Sequence, residues 1–248
     1  CRVHDPGYVE RVVTGTLAEH EVRRVGFPWS PALVTRCRAS VGGTVAAAHA
    51  ALEHGVAGNL AGGTHHAYAD VGSGYCVFND IAVAACDLLA RNLVQRVLVV
   101  DLDVHQGDGT AALFADDPRV YTLSLHGARN FPARKQRSDL DVPLADGLGD
   151  EAYLEALRPA LSQALDASRP DLLIYQAGVD PLDADALGRL ALSHAGLGAR
   201  DALVLERAHA LGLPVALTLG GGYARPIEAS VAAHVQTYAL ARATWTRP

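Results

Sequence analysis

Methionine is missing from all 248 residues, position 1 included, which leads us to expect a piece of a longer chain whose natural start precedes Cys1. Lysine is nearly missing as well: Lys135 is the only one, so arginine supplies almost all the positive charge. Those arginines are scattered and the formal net charge is -6, so no basic stripe marks the chain as a nucleic-acid binder. Aromatic residues make up 6% and alanine is abundant, which suits helices lying close on a sheet. The four cysteines, at 1, 37, 76 and 86, form no C-x-x-C pair and suggest no disulfide framework. A reducing cytoplasm is the setting that fits them, with Cys37 and Cys86 reading as small buried residues. No apolar run reaches the ~18 residues of a membrane span, and no signal-peptide pattern is visible. Repeats, linkers and low-complexity stretches are also lacking. Half of the residues are hydrophobic, enough for a sizeable core, and we expect a single domain over 1–248.

What is present is an alternation of helical and extended patterns. A loose apolar face (Val9, Val12, Val13, Leu17) predicts a helix over 5–19, and an Ala-rich stretch predicts a long one over 31–54, ended near Gly55. Further helices are predicted over 79–93, capped by Asn79 or Asp80, and over 151–167, 196–211 and 227–242. Short apolar runs predict strands over 56–60, 97–100, 119–125, 170–176 and 214–219, while 127–149 reads as a polar loop. Strands alternating with helices favour an α/β three-layer sandwich with a central, mostly parallel sheet over a barrel.

The most informative stretch is Arg96 to Thr110, R-V-L-V-V-D-L-D-V-H-Q-G-D-G-T. The run Val97 to Val100 reads as a strand buried on both faces, and it emerges into Asp101, Asp103 and His105. Residues two apart in an extended chain project to the same side, so two carboxylates and an imidazole converge past the strand's end. Ligands of open α/β sheets bind at that end, and Asp-x-His there is good metal-ligand chemistry. Acids at strand ends also commonly cap the next helix. A calcium loop is excluded, because the glycine comes one place late and Ala112 stands where a bidentate Glu is needed.

Three more polar groups lie at predicted strand ends beside glycine: His65-His66, Asp180 and Tyr223. Each is weak alone. A His-His pair is usually surface decoration, and Gly220-Gly221-Gly222-Tyr223 lacks the Lys-Ser/Thr of a phosphate loop. Parallel strands, however, place all their C-terminal ends on one side of the sheet. Together the groups make a complete hydrolytic site. Asp103, His105 and Asp180 offer three ligands with one position open, for zinc or ferrous iron. One histidine of the pair serves as general base and acid, Tyr223 donates to a developing oxyanion, and Asp101 and Asp108 orient the histidines.

These residues resemble the zinc-dependent histone deacetylase family, of arginase/deacetylase fold, over most of the chain. The matches are G-G-T-H-H-A at 62–67, G-Y-C-V-F-N-D at 74–80, D-L-D-V-H-Q-G-D-G-T at 101–110, S-L-H at 124–126, A-G-V-D-P-L-D-A-D-A-L-G-R-L-A-L-S at 177–193 and L-G-G-G-Y at 219–223. His-Gln after Asp-Val looks most like class IV members and their bacterial relatives. The resemblance implies Asp103, His105 and Asp180 as zinc ligands. It implies His66, paired with Asp108, as the main general base and acid, His65 with Asp101 in an electrostatic role, and Tyr223 polarising the carbonyl. It also implies structural potassium at Asp101, Asp103, His105, Ser124 and Leu125. A second monovalent site is matched at Phe114 and Val120 but not at Asp117 or Ser138. Tyr75 and Phe131 match the aromatic walls of an acyl-lysine tunnel, with the Gly74 carbonyl facing the substrate. The family's first strand and its following loop would precede Cys1.

The activity this implies is hydrolysis of N-acyl-lysine in protein, with an acylated polyamine or other small acylated amine as the alternative substrate. An inactive acyl-lysine binder is the reading from another class. The related ureohydrolases use two manganese ions and a different carboxylate set, and Tyr223 with the paired histidines speaks against them. The loop Gly26-Phe27-Pro28-Trp29 lacks the acid with which class I members grip the substrate backbone. No motif speaks to oligomeric state.

Overall fold

A computed structural model describes residues 2–246, so Cys1 lies outside the described residues. The chain begins with two short helices, α1 (Pro6–Thr14) and α2 (Glu19–Val25), where the pattern had suggested one over 5–19. Gly15 causes the break: it takes φ 76°, a left-handed conformation natural to glycine, and its N–H closes α1 on the Arg11 carbonyl. The long helix α3 (Pro31–His54) follows, with Pro31 in its first turn and the Ser30 hydroxyl accepting from the Leu33 N–H.

Next come β1 (Val56–Gly58), α4 (Asp80–Ala90), β2 (Val97–Asp101), α5 (Asp108–Phe114), β3 (Val120–Gly127) and β4 (Leu140–Leu144). The chain ends with α6 (Asp150–Ser168), β5 (Leu172–Gln176), α7 (His194–Ala210), β6 (Val215–Thr218) and α8 (Glu228–Trp245). Strand β4 falls within 127–149, which the sequence had suggested is loop throughout. It is an edge strand whose Pro143 cannot donate to a ladder, and its side chains are mostly half-exposed, so it carries little apolar signal. Helix α5 was likewise unmarked, being two turns that begin at the end of the D-L-D-V-H-Q-G-D-G-T motif.

All the strands run parallel, in the order β1-β6-β5-β2-β3-β4, with helices on both faces. The two-residue period sorts the core. Leu98, Val100, Leu173 and Tyr175 point to the layer of α6, α7 and α8, and Val97, Val99, Leu172 and Ile174 to the layer of α3 and α4. Each is essentially unexposed, and burying such a side chain contributes about 1.5–3 kcal/mol. A third, smaller cluster (Tyr8, Val12, Val25, Val34, Val77, Phe78) holds α1 and α2 against the body.

The described cysteines at 37, 76 and 86 are unpaired. Cys37 and Cys86, read as buried, are half-exposed, whereas Cys76 is the buried one. No described helix is long and apolar enough to cross a membrane.

The strand order places the site. From β2 the chain moves outward to β3 and β4, then returns across the sheet to β5 on β2's other side. The carboxyl ends of β2 and β5 therefore flank a topological switch point, where loops diverge and leave a crevice.

Candidate active site

Four loops meet at this edge. They follow β1 (His65, His66), β2 (Asp101 to Asp108), β5 (Asp180) and β6 (Tyr223). Asp103, His105 and Asp180 are all buried, and one ligand atom from each lies within 4.8 Å of the others. The His105 Nδ1 sits 3.0 Å from both Asp103 Oδ1 and Asp180 Oδ2. Backbone amides fix the carboxylates: Val104 N–H donates to Asp180 Oδ1 (2.8 Å) and Gly221 N–H to Asp103 Oδ2 (2.7 Å). A Cβ at position 221 would run into both carboxylates, so glycine is what lets that backbone approach.

The electrostatics of this triad fit a cation. Burial and the neighbouring Asp103 carboxylate hold Asp180 up, to about 7. Burial alone would lower His105, but the two carboxylates outweigh it and hold its proton up to about 11. A proton thus sits where two buried like charges need a positive partner. A divalent ion with carboxylate and imidazole ligands meets that need, and the three-residue donor set leaves a position for substrate.

Two histidine–carboxylate pairs stand beside the triad. His65 Nδ1 donates to Asp101 Oδ2 (2.7 Å), and His66 Nδ1 donates to Asp108 Oδ1 (2.6 Å). The rings lie 4.1 Å apart, and that of His66 is 5.9 Å from His105. Their environments separate them. Burial opposes protonation of His65, yet Asp101 and Asp103 push it up to about 9. For His66, burial and the charge of His65 prevail over Asp108 and hold it down to about 4. His66 is therefore neutral at pH 7, with Nδ1 committed to Asp108 and Nε2 left as an acceptor.

Tyr223 makes no side-chain hydrogen bond within the described residues. Burial raises its pKa well above the usual phenol value, and the Asp103 and Asp180 charges raise it further, so the hydroxyl stays protonated. A cleft of about 800 Å³ leads to these groups, lined by His66, Gly74, Tyr75, His105, Phe131 and Tyr223 among others. Tyr75 and Phe131 are 49% and 45% exposed, too much for core aromatics but suited to the walls of a passage. Phe131 meets His66 edge-on at 4.9 Å. Tyr75 takes φ 64°, an uncommon state for a side-chain-bearing residue, and its N–H is tied to the Val25 carbonyl at the end of α2. Ser124 and Leu125 lie on β3, where the register sets Ser124 beside Asp101.

The candidate ligand, histidine, tyrosine and cleft-wall residues singled out in the sequence thus lie at this one edge, whereas Phe114 and Val120, matched to a second monovalent site, do not: Val120 opens β3 beside Val97, at the sheet's other end. Several that hold the site together were not foreseen. Tyr68 donates to the second oxygen of Asp108 (2.7 Å). Asn79 is the cap of α4, and Asp80, the other candidate, instead grips the G-G-T-H-H loop, accepting from the Gly63 and Thr64 amides at 3.0 and 2.7 Å. Asp185 accepts from the Tyr223 N–H at 2.6 Å. Asp80 and Asp185 fall inside the matched motifs, which was the signal available; Tyr68 carried none.

The scan against protein families matches the histone deacetylase domain over residues 1–239. The chain belongs to the histone deacetylase family. An uncharacterized protein of Picosynechococcus is 50% identical over 240 residues, covering 97% of this chain and 80% of that protein. Histone deacetylase 2 of Arabidopsis thaliana is 36% identical over 85% of the chain, and histone deacetylase clr6 of Schizosaccharomyces pombe 35% over 90%. The chain spans only 55% and 59% of those two proteins' lengths.

Proposed function

We propose that residues 1–248 form one catalytic domain that hydrolyses the amide of N-acyl-lysine, releasing a carboxylate and the free amine. The observation that carries this reading is the buried Asp103–His105–Asp180 triad with two histidine–carboxylate pairs and a free phenol at the same sheet edge. A zinc ion held by the triad, or ferrous iron, would supply Lewis acidity to the amide carbonyl and the attacking water.

The chain's own residues do the rest. His66 accepts the water's proton at Nε2 as the new C–O bond forms, while Asp108 stabilises the imidazolium. Tyr223 donates to the oxygen on which charge develops. His66 then returns the proton to the departing nitrogen as the C–N bond breaks. His65, braced by Asp101, contributes a fixed dipole or charge beside the reacting atoms. Tyr75, Phe131 and the Gly74 carbonyl hold the lysine side chain in line. Potassium at Asp101, Asp103, His105, Ser124 and Leu125 belongs to the same proposal, supported by the pairing of β2 with β3. The unpaired cysteines suit a cytoplasmic setting.

The test is a fluorogenic acyl-lysine assay with metal content measured in parallel. Turnover that tracks zinc or iron, and falls at least 100-fold in His66→Ala and Tyr223→Phe without loss of metal, is the expected result. Metal-loaded protein that turns over no N-acyl amine would make this a binder, and unchanged turnover in both variants would end the mechanism.

A further inference from the structure

The mouth of the cleft is lined by five arginines, Arg23, Arg24, Arg129, Arg134 and Arg189. They are far apart in sequence and come from the end of α2, the loop after β3 and the loop after β5. All five are exposed. The only acid lining the cleft is Asp108, which is buried and engaged with His66 and Tyr68.

Outside the cleft, Glu19 pairs with Arg23 at 3.2 Å, and one carboxylate, Asp146, is shared by Arg129 and Arg189 at 3.2 Å each. Arg24 lies 5.4 Å over the Tyr68 ring, and neither it nor Arg134 has an acidic partner among the described residues. Positive charge therefore remains in excess at the mouth of a chain whose net charge is -6. The backbone that carries Arg23 and Arg24 is anchored to the cleft. The Arg24 carbonyl accepts from the Gly74 N–H at 3.2 Å, and the Val25 carbonyl from Tyr75 at 2.8 Å, which ties the end of α2 to the tunnel wall.

We infer that the site takes its acyl-lysine from acidic sequence: Asp or Glu flanking the modified lysine meets the arginine rim, and polycationic substrates, acylated polyamines and basic tails alike, are disfavoured. The inference rests on the hydrolytic reading above for its chemistry, but the charge preference belongs to the rim alone. A lysine side chain reaching into the cleft leaves its backbone neighbours at the mouth, where these guanidinium groups stand. Each exposed pair is weak, so two or three acting together give a preference on the order of 10-fold in kcat/KM at low salt. The preference shrinks towards unity in 1 M salt, where the screening length falls to about 3 Å.

The experiment uses acyl-lysine peptides of one length flanked by Glu, Gln or Lys, with an acylated polyamine as a fourth arm. Turnover and fluorescence-anisotropy binding to the whole protein are both read, at low and high salt, for the native chain and an Arg24→Glu/Arg134→Glu variant. The expected order is Glu over Gln over Lys and polyamine, lost in high salt and reversed in the variant. Lys-flanked peptide or polyamine equalling the Glu-flanked one, or a preference indifferent to salt and charge reversal, overturns the inference. Turnover of a neutral acyl-lysine amide without flank preference sinks the rim and leaves the hydrolase. A Glu preference in binding without any turnover does the opposite.

Discussion

Replacing Asp108 with Asn isolates what one carboxylate does for the proposed base. The side chain is buried, with one oxygen accepting from His66 Nδ1 at 2.6 Å and the other from the Tyr68 hydroxyl at 2.7 Å. Asparagine keeps the shape and can face its oxygen to His66 and its amide to Tyr68, so the fold survives. What goes is the charge. A hydrogen bond to a charged group contributes about 1.5–3 kcal/mol against roughly 0.5–1.5 for a neutral one, so the loss in the transition state, where His66 is protonated, is about 1–2 kcal/mol. At about 1.4 kcal/mol per tenfold, kcat/KM falls roughly 5- to 30-fold. The pH profile carries the signature. Activity that requires neutral His66 rises as pH climbs through its pKa, about 4. Asp108 holds a proton on His66, so removing the charge moves that acid limb to lower pH while the plateau drops. Metal content should not change, since Asp108 touches none of the triad. The assay is kcat/KM against pH on a neutral acyl-lysine amide. An undiminished plateau, an acid limb moved upward, or a loss that follows metal content would refute the reasoning.

Three further expectations follow from the geometry. Chelation should abolish turnover and zinc should restore it; at ~100 times Kd, zinc adds about 2.7 kcal/mol to stability, roughly 5–10 °C in Tm for a chain of this size. A metal that leaves Tm unmoved in differential scanning calorimetry would contradict a buried binding triad. Gly221→Ala forces a methyl into the Asp103 and Asp180 carboxylates, so bound zinc by elemental analysis and kcat/KM should both fall at least about 10-fold with an unchanged circular dichroism spectrum. Wild-type metal content in that variant would show the approach to be loose. Away from the site, burial would raise Asp87, yet His49, Arg91 and Arg2 hold it below the usual carboxylate range. Its contribution is present above the unfolded-state value near 3.8 and lost as pH falls through the lower folded-state value. Asp87→Asn should therefore cost under about 1 kcal/mol at pH 7, the arginines being half-exposed, and the urea-melt difference should close in acid. A gap that widened in acid would invert the assignment.

Much of the architecture was legible because local signals agreed with the fold. The strand 97–101 has a β-branched run between charge and glycine, and α3 has Ser30-Pro31 at one end and Gly55 at the other. The failures have physical causes. Over 5–19 the apolar spacing continues through Gly15, and the turn comes from that glycine's left-handed backbone, with the Trp29 ring filling the space a side chain there would need. Strand β4 is short, half-exposed and interrupted by Pro143, so it exists because β3 offers an open edge, not because its own residues insist on it. Cys76 is buried and sits in a tight turn with Ser73, while Cys37 and Cys86 stay half-exposed on helices, and no local apolar pattern told the three apart.

The same distinction separates the site's two halves. The inner half is legible because its chemistry demands given residue types at given steps from a strand end, and such steps survive as motifs. The rim demands only positive charge at a place, which any loop passing that place can supply. Arg23, Arg129 and Arg189 therefore look unrelated along the chain and become neighbours only when three loops reach one edge of a parallel sheet. Overall charge misleads here as well. A net charge of -6 alone would favour cationic substrates, but at physiological salt the screening length is about 8 Å, so distant acids count for little at the mouth. The nearest charges decide, and among those the five guanidinium groups outnumber the Glu19 and Asp146 carboxylates.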